Sequence, residues 1–192
     1  MTPEILAAAV AALKGFEAVV PCIYRDTEAV VTCGIGHALF SQSDALLLPW
    51  ALISGPASPQ DIIKDYQAVK AAEPGHTWQF YEPLTACWLL PADIEGLCQH
   101  DLTMRWTAFL HYYPQADEYP APAIKALLDL CFSLGPGWPV VEKNGVKVWP
   151  KLAAAVLAND WATCAAQCRR PQVNAARNQY VRDRFLEAAQ GV

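Results

Sequence analysis

Residues 13–37 read LKGFEAVVPCIYRDTEAVVTCGIGH and determine how the front of the chain folds. Upstream of this stretch, apolar residues at helical spacing predict a helix that has Glu17 in its last turn, because Pro21 prevents the helix from continuing. Two runs of β-type residues follow, at 22–25 and 29–33, and the polar residues between them indicate a turn. The front of the chain is therefore predicted to be one helix followed by a small hairpin.

The rest of the chain is predicted to be mainly helical. A helix start is indicated at residues 58–61, and later apolar periodicity predicts helices at 92–110, 122–134, 150–157, 161–168 and 174–189. A small sheet beside segregated helices is the α+β class, here mostly helical. We expect one domain over residues 1–192, made of a front part (1–40), a region that is harder to place (41–83) and a helical lobe (84–192).

The composition excludes several classes of protein. The 192 residues are 54% hydrophobic, too apolar for a disordered or fibrous chain. The net charge is −5 and no basic stripe is present, so nucleic acid is a poor candidate for a partner. No apolar run reaches the roughly 18–20 residues of a membrane span. The apolar start lacks a basic segment before it, so we expect an amphipathic helix there and no signal peptide.

The seven cysteines do not form a recognisable framework. They are scattered at positions 22, 33, 87, 98, 131, 164 and 168, and no CxxC pair occurs among them. This pattern disfavours a disulfide scaffold or a zinc site. We expect buried free thiols, which are typical of a protein made in a reducing compartment, and we expect no metal.

Three polar residues of the front segment form a candidate catalytic group. The hairpin brings Asp26 near Thr32, and the short link through Pro21 returns Glu17 towards the same rim. Glycosidic cleavage needs two carboxyl groups, one protonated and one ionised, and a hydroxyl can help to hold the attacking water. Taken alone, this pattern also fits a structural interpretation, since Asp is common in turns and Thr is common in strands.

The spacing of these residues resembles that of a known family. A Glu, an Asp nine residues later, a Thr six residues after that and then Gly34-Ile35-Gly36-His37 are similar to the signature of the phage-type lysozymes, the muramidases of glycoside hydrolase family 24. The resemblance is strong over about the first 40 residues and looser over 84–192, and it makes 41–83 an insertion. It implies a lysozyme-like fold and hydrolysis of peptidoglycan without a cofactor.

The resemblance also implies a role for each matching residue. Glu17 matches the general acid, Asp26 the carboxylate that positions or activates the water, and Thr32 the residue that helps to hold it. His37 matches a histidine that supports the site. In the helical lobe, Phe132 and Gln167 match positions that contact the substrate, and Arg177 matches the arginine that pairs with the general acid. Ser133 stands at a further substrate-binding position, where many members have Asn or Gln.

Two questions stay open: whether the chain cuts peptidoglycan, and which biological role it has if it does. The serine at position 133 and the insertion are also compatible with a lysozyme-like module that binds peptidoglycan or a protein without cutting it. If the chain is an enzyme, it is either a phage endolysin or an antibacterial effector secreted into a rival's periplasm. The acidic balance, the insertion and the many prolines favour the effector, which would have a cognate inhibitor as its partner. In both cases we expect synthesis in the cytoplasm and action on periplasmic peptidoglycan.

Overall fold

The computed structural model describes residues 1–143 and 146–191, and it has the mostly helical α+β architecture that the sequence predicts. The helices in this part of the chain are α1 (Pro3–Phe16), α2 (Gln42–Leu46), α3 (Pro59–Ala71), α4 (Trp78–Tyr81), α5 (Pro91–Leu110), α6 (Ala121–Leu134), α7 (Pro150–Leu157), α8 (Trp161–Gln167) and α9 (Ala175–Ala189). The strands are β1 (Val20–Arg25), β2 (Val31–Gly34), β3 (His37–Ala38), β4 (Ala51–Leu52), β5 (Gly55–Pro56), β6 (Glu142–Lys143) and β7 (Val146–Lys147). Short 3-10 turns lie at Glu82–Leu84 and Pro114–Glu118.

The chain divides into two compact units whose limits differ from the three predicted segments. Residues 14–99 form one unit, which we call the front unit, and residues 1–13 together with the chain from His100 onward form the other, which we call the helical unit. The region predicted as an insertion therefore belongs to the same unit as the hairpin. The prediction of a single domain stays a prediction.

The front unit begins with a three-stranded antiparallel sheet. Its order is β1-β2-β3, with Tyr24 opposite Thr32 and Cys33 opposite His37. The predicted hairpin is confirmed, and β3 is an addition that the sequence reading missed. The prediction that Glu17 lies in the last turn of the first helix is wrong, because α1 ends one residue earlier, at Phe16.

The region 41–83 contains two capped helices and a small hairpin. Ser41 caps α2 and Ser58 caps α3, each in a reciprocal capping box with the aspartate three residues later. Strands β4 and β5 pair with each other between these helices. The sequence predicts an apolar face on this helix formed by Ile62, Ile63, Tyr66 and Val69. Three of these residues, Ile62, Tyr66 and Val69, are buried, which confirms that helix.

A buried carboxylate on α3 fixes the segment that follows this region. Oδ2 of Asp65 accepts hydrogen bonds from the backbone N–H groups of Ala86 and Cys87, both at 2.7 Å. The same segment pairs with β4 through Trp88, and the Leu89 N–H donates to the Pro21 carbonyl of β1. Residues 86–89 therefore connect the region 41–83 to the β1–β2 hairpin within the front unit.

The helical unit is organised around α6. More than half of the residues of this helix are buried. The helix packs against α9, and α9 also packs against α8. Aromatic rings fill the space around it: Phe109 stacks with Tyr113, and Trp161 lies edge-on to Tyr119. Burial of such large rings is a main source of core stability.

All seven cysteines are buried free thiols, as predicted. Burial raises the pKa of the Cys87, Cys131 and Cys164 thiols to about 12. These groups are therefore neutral at physiological pH and contribute as small apolar side chains. No helix in the described part of the chain is long and apolar enough to cross a membrane.

Candidate functional site

Glu17 occupies the link between the first helix and the sheet. It follows Phe16, the last residue of α1, and it is half-buried. Nearby, the Lys14 ammonium in the last turn of α1 pairs with the carboxylate of Glu95 on α5, which anchors this end of the helix. Val20 begins β1 only three residues after Glu17, so the carboxyl group is held close to the edge of the sheet.

Asp26 uses one of its two carboxylate oxygens to build the turn between β1 and β2. Its Oδ1 accepts hydrogen bonds from the backbone N–H groups of Glu28 at 2.9 Å and Val30 at 2.8 Å. Ala29 completes the turn in the left-handed region, with φ of 62°. Oδ2 makes no hydrogen bond within residues 1–143 and 146–191, and Asp26 is only half-buried. One oxygen is thus structural and the other can accept a proton or bind water.

Thr32 lies on β2 and is only 2% exposed. Its hydroxyl donates to the Val30 carbonyl at 3.0 Å. Because its one proton is engaged there, the remaining lone pairs of Oγ1 can only accept a hydrogen bond. The group is therefore suited to receive a hydrogen from a water molecule and not to donate one.

Tyr24 is a candidate site residue that the sequence reading missed. It lies directly opposite Thr32, and burial followed by the negative charges of Asp26 and Glu17 raises the pKa of its phenol. The Tyr24 phenol therefore stays protonated at physiological pH. The signal was present in the sequence, since residues two apart in a strand point to the same face and Tyr24 precedes Asp26 by two.

His37 follows a turn that needs glycine. Gly34 and Gly36 have φ of 62° and 68°, in the left-handed region that side chains rarely adopt. A Cβ on Gly34 would also contact Leu97 and Ile94 of α5 at 3.6 and 3.7 Å. The glycines thus turn the chain from β2 into β3 and place His37, half-buried, opposite Cys33.

Phe132 and Ser133, two of the substrate-binding residues that the resemblance implies, lie in the last turn of α6 in the helical unit. Two guanidinium groups lie over the Phe132 ring, that of Arg105 at 5.4 Å and that of Arg177 at 5.6 Å from its centroid. The Ser133 hydroxyl donates to the Asp129 carbonyl at 3.0 Å and accepts from Arg170. The proton of Ser133 is thus engaged within the protein.

Arg177 of α9 belongs to a buried ionic cluster with Asp129 of α6 and with Arg170, which lies between α8 and α9. Its Nε donates to Oδ2 of Asp129 at 2.8 Å, and Nη1 of Arg170 lies 2.7 Å from Oδ1 of the same carboxylate. All three side chains are at least nine-tenths buried. Two cations therefore share one anion. The sequence reading missed Asp129 and Arg170, although an Asp inside the apolar run of α6 was a signal for a buried pair.

The structure assigns the predicted residues to two groups. Glu17, Asp26, Thr32 and His37 all lie in the front unit. Phe132, Ser133, Gln167 and Arg177 all lie in the helical unit, with Gln167 half-buried at the last position of α8. The described residues include no group of three or more His, Cys, Asp or Glu side chains arranged to hold a metal ion.

Comparison with known proteins gives no independent assignment. No protein-family model matches the chain, and no curated protein matches it either.

Proposed function

We propose that the chain is a muramidase that hydrolyses the β-1,4 bond between N-acetylmuramic acid and N-acetylglucosamine in peptidoglycan. The observation that carries this proposal is the division of labour at Asp26, where one carboxylate oxygen builds the turn and the other is left to bind water. The Asp26 N–H donates to the carbonyl of Val30, two residues before Thr32, so Asp26 and Thr32 belong to the same end of the β1–β2 pair. A proton acceptor and an acceptor-only hydroxyl are the two groups that a water nucleophile needs.

In the proposed reaction, Glu17 protonates the glycosidic oxygen as the bond to the anomeric carbon breaks. A water molecule gives one hydrogen bond to Thr32 and loses its other proton to Oδ2 of Asp26 while its oxygen attacks that carbon. Glu17 ends ionised and Asp26 ends protonated, and exchange with solvent restores both. This route inverts the anomeric configuration and requires about 6.5–9.5 Å between the carboxyl groups.

Removing the acid is the first test. Glu17→Gln keeps the shape of the side chain but has no proton to give, so we expect release of reducing ends from purified peptidoglycan to fall about 10²–10⁴-fold. Glu28→Gln is the matched control, because Glu28 is an exposed carboxylate of the adjacent turn. Parental activity in Glu17→Gln, with an unchanged circular dichroism spectrum, would falsify the proposal.

The water-activating carboxylate is tested by Asp26→Asn. The Asn carbonyl oxygen can still accept from Glu28 and Val30, so the turn is retained, whereas Oδ2 becomes an amide that accepts no proton. We expect a loss of activity comparable to that of Glu17→Gln. For the parental chain, proton NMR of the first product should show the α-anomer. A β-anomer would contradict the role assigned to Asp26.

A second candidate function is a lysozyme-like module that binds peptidoglycan without cutting it. The observation that favours it is the engaged hydroxyl of Ser133, which leaves no serine proton for a substrate hydrogen bond. A pure binder would sediment with purified peptidoglycan and release no reducing ends. Mass spectrometry of the soluble fraction separates the two functions, since only the enzyme yields muropeptides with a reducing muramic acid.

For the biological role, we propose an antibacterial effector in preference to a phage endolysin. The support is the acidic net charge, since a basic surface would favour an anionic cell wall. The effector would act in a rival's periplasm and have a cognate inhibitor. Periplasmic expression should lyse bacteria, and co-expression of a product of a neighbouring gene should prevent lysis; absence of any protecting neighbour favours the endolysin.

A further inference from the structure

The front unit contains an apolar cavity that the proposed reaction does not use. Its volume is about 620 Å³, and its walls include Pro21, Cys22, Leu52, Ile53, Glu82 and Trp88. The tip of the β4–β5 hairpin forms one side, and the segment 82–88 forms the other. Pro21 lies near the start of β1 and Asp26 follows its end, roughly 15 Å along the strand. The volume lies within the usual range for ligand sites.

A single carboxylate gives this apolar cavity its polarity. Glu82 is exposed, and no cation lies within ion-pair distance of it in the part of the chain that the structure describes. Glu82 is part of the lining of this cavity, together with Cys22. In line with that placement, its charge adds to burial in raising the pKa of the Cys22 thiol. An unpaired anion at the edge of an apolar cavity is complementary to a cation on an apolar stem.

The surrounding charge favours the same ligand. The front unit has ten acidic residues and four basic ones, a net charge of −6. Two of the four basic groups are engaged within the unit: Lys14 pairs with Glu95, and Arg25 donates to the Ala72 carbonyl at 2.7 Å. A field of this sign attracts cations. The half-exposed Trp88 indole adds a face on which a cation can bind.

The rim of the cavity exposes apolar surface to a partner. Ile53 is 96% exposed at the tip of the hairpin, and Leu84, next to the opposite wall, is 41% exposed. These side chains extend the apolar lining of the cavity to its opening, so that a ligand seated there would contact apolar surface at the rim as well as inside. We propose that this cavity is the docking site for a partner protein that inserts a lysine side chain, with its methylenes on Leu52 and Ile53 and its ammonium at Glu82.

Three peptides that differ only in the central residue test the proposal on the whole chain. The probes are Ac-Leu-Lys-Leu-NH2 and its norleucine and glutamate analogues, titrated at pH 7 against ¹⁵N-labelled protein. We expect the lysine peptide to bind about fivefold more tightly than the norleucine peptide and the glutamate peptide to bind most weakly, the size of effect of one partly exposed ion pair. Shifts should centre on residues 52–54 and 82–88.

Variants assign the effect to the cavity. Glu82→Gln should bring the lysine and norleucine peptides to within twofold of each other, whereas Ile53→Ser should weaken both. Glu73→Gln is the matched control, since its side chain is 79% exposed and lies outside the cavity walls. Equal affinity of the three peptides, shifts elsewhere, or an unchanged preference in Glu82→Gln overturns the proposal. The proposal would also be overturned if the chain formed a dimer that the lysine peptide dissociates. In that case a second copy of the chain, and not another protein, would occupy the cavity.

Discussion

Two buried carboxylates, one in each unit, are stabilised by different kinds of partner. In the front unit, Asp65 accepts hydrogen bonds from backbone N–H groups of Ala86 and Cys87. In the helical unit, Asp129 lies against the guanidinium groups of Arg170 and Arg177. The first carboxylate organises a chain segment through neutral donors, and the second balances buried cations. The buried carboxylate of the front unit therefore depends on backbone dipoles, whereas that of the helical unit depends on ion pairs.

Removing the Asp129 carboxylate is expected to have the largest effect. Asp129→Ala leaves two buried guanidinium groups without their shared anion, which costs about 3–5 kcal/mol of the free energy of unfolding. Urea denaturation measures this loss. Asp183→Ala is the control, since Asp183 is only half-buried and its carboxylate accepts a surface hydrogen bond from Gln179 of the same helix. This variant should change stability by less than about 0.5 kcal/mol. A small effect of Asp129→Ala would show that the ionic core is dispensable.

The corresponding change in the front unit should cost less. Asp65→Ala removes the acceptor of two buried backbone donors but leaves no charge behind, so we expect a loss of about 2–3 kcal/mol. Hydrogen exchange should show faster exchange at Ala86 and Cys87. If Asp65→Ala were as costly as Asp129→Ala, the contrast between the two carboxylates would disappear.

A buried thiol of the helical unit, that of Cys131, provides a test based on the pH dependence of stability. The pKa of Cys131 is about 12 in the folded protein and about 9 when the thiol is exposed. Its contribution to stability is complete below pH 9 and is lost as the pH rises towards 12, because only the unfolded chain releases the proton. The free energy of unfolding should fall by about 1.4 kcal/mol per pH unit for this thiol. Cys131→Ala should reduce the slope between pH 9.5 and 11 by that amount, and an unchanged slope would refute the assignment.

The smallest expected effect concerns the start of α3 in the front unit. Ser58→Ala removes the side-chain acceptor for the Asp61 N–H and half of a capping box, at a cost of about 1 kcal/mol. Ser58→Asp, which can also cap the helix, should retain most of the stability. Thermal denaturation of the two variants measures the difference, and equal losses would mean that the cap contributes little there.

Local patterns made most of the fold predictable. The predicted limits of α7, at 150 and 157, agree with the structure, because Pro150 fixes the start and apolar spacing marks the buried face. The hairpin followed from β-type runs on either side of a polar turn. By contrast, β3 and β4 have two residues each, too short for an alternating pattern to be seen.

The candidate site was predictable only in part. Glu17, Asp26 and Thr32 stand out through their spacing, whereas the division of labour between the two oxygens of Asp26 depends on backbone donors that only the folded turn brings together. Likewise, Arg170 is separated from Asp129 by 41 positions, and no local pattern links them. Contacts of this kind arise from the packing of helices that are distant in sequence.

The four residues 86–89 have a consequence for how such a chain can evolve. They are bonded to Asp65 and Ala51 on one side and to Pro21 on the other, so they are shared by the region 41–83 and the first strand of the sheet. A deletion of 41–83 would therefore also remove Asp65 and Ala51, the hydrogen-bond partners of this segment. A descendant without 41–83 could arise only if new neighbours for residues 86–89 appeared first, so loss of this region is difficult.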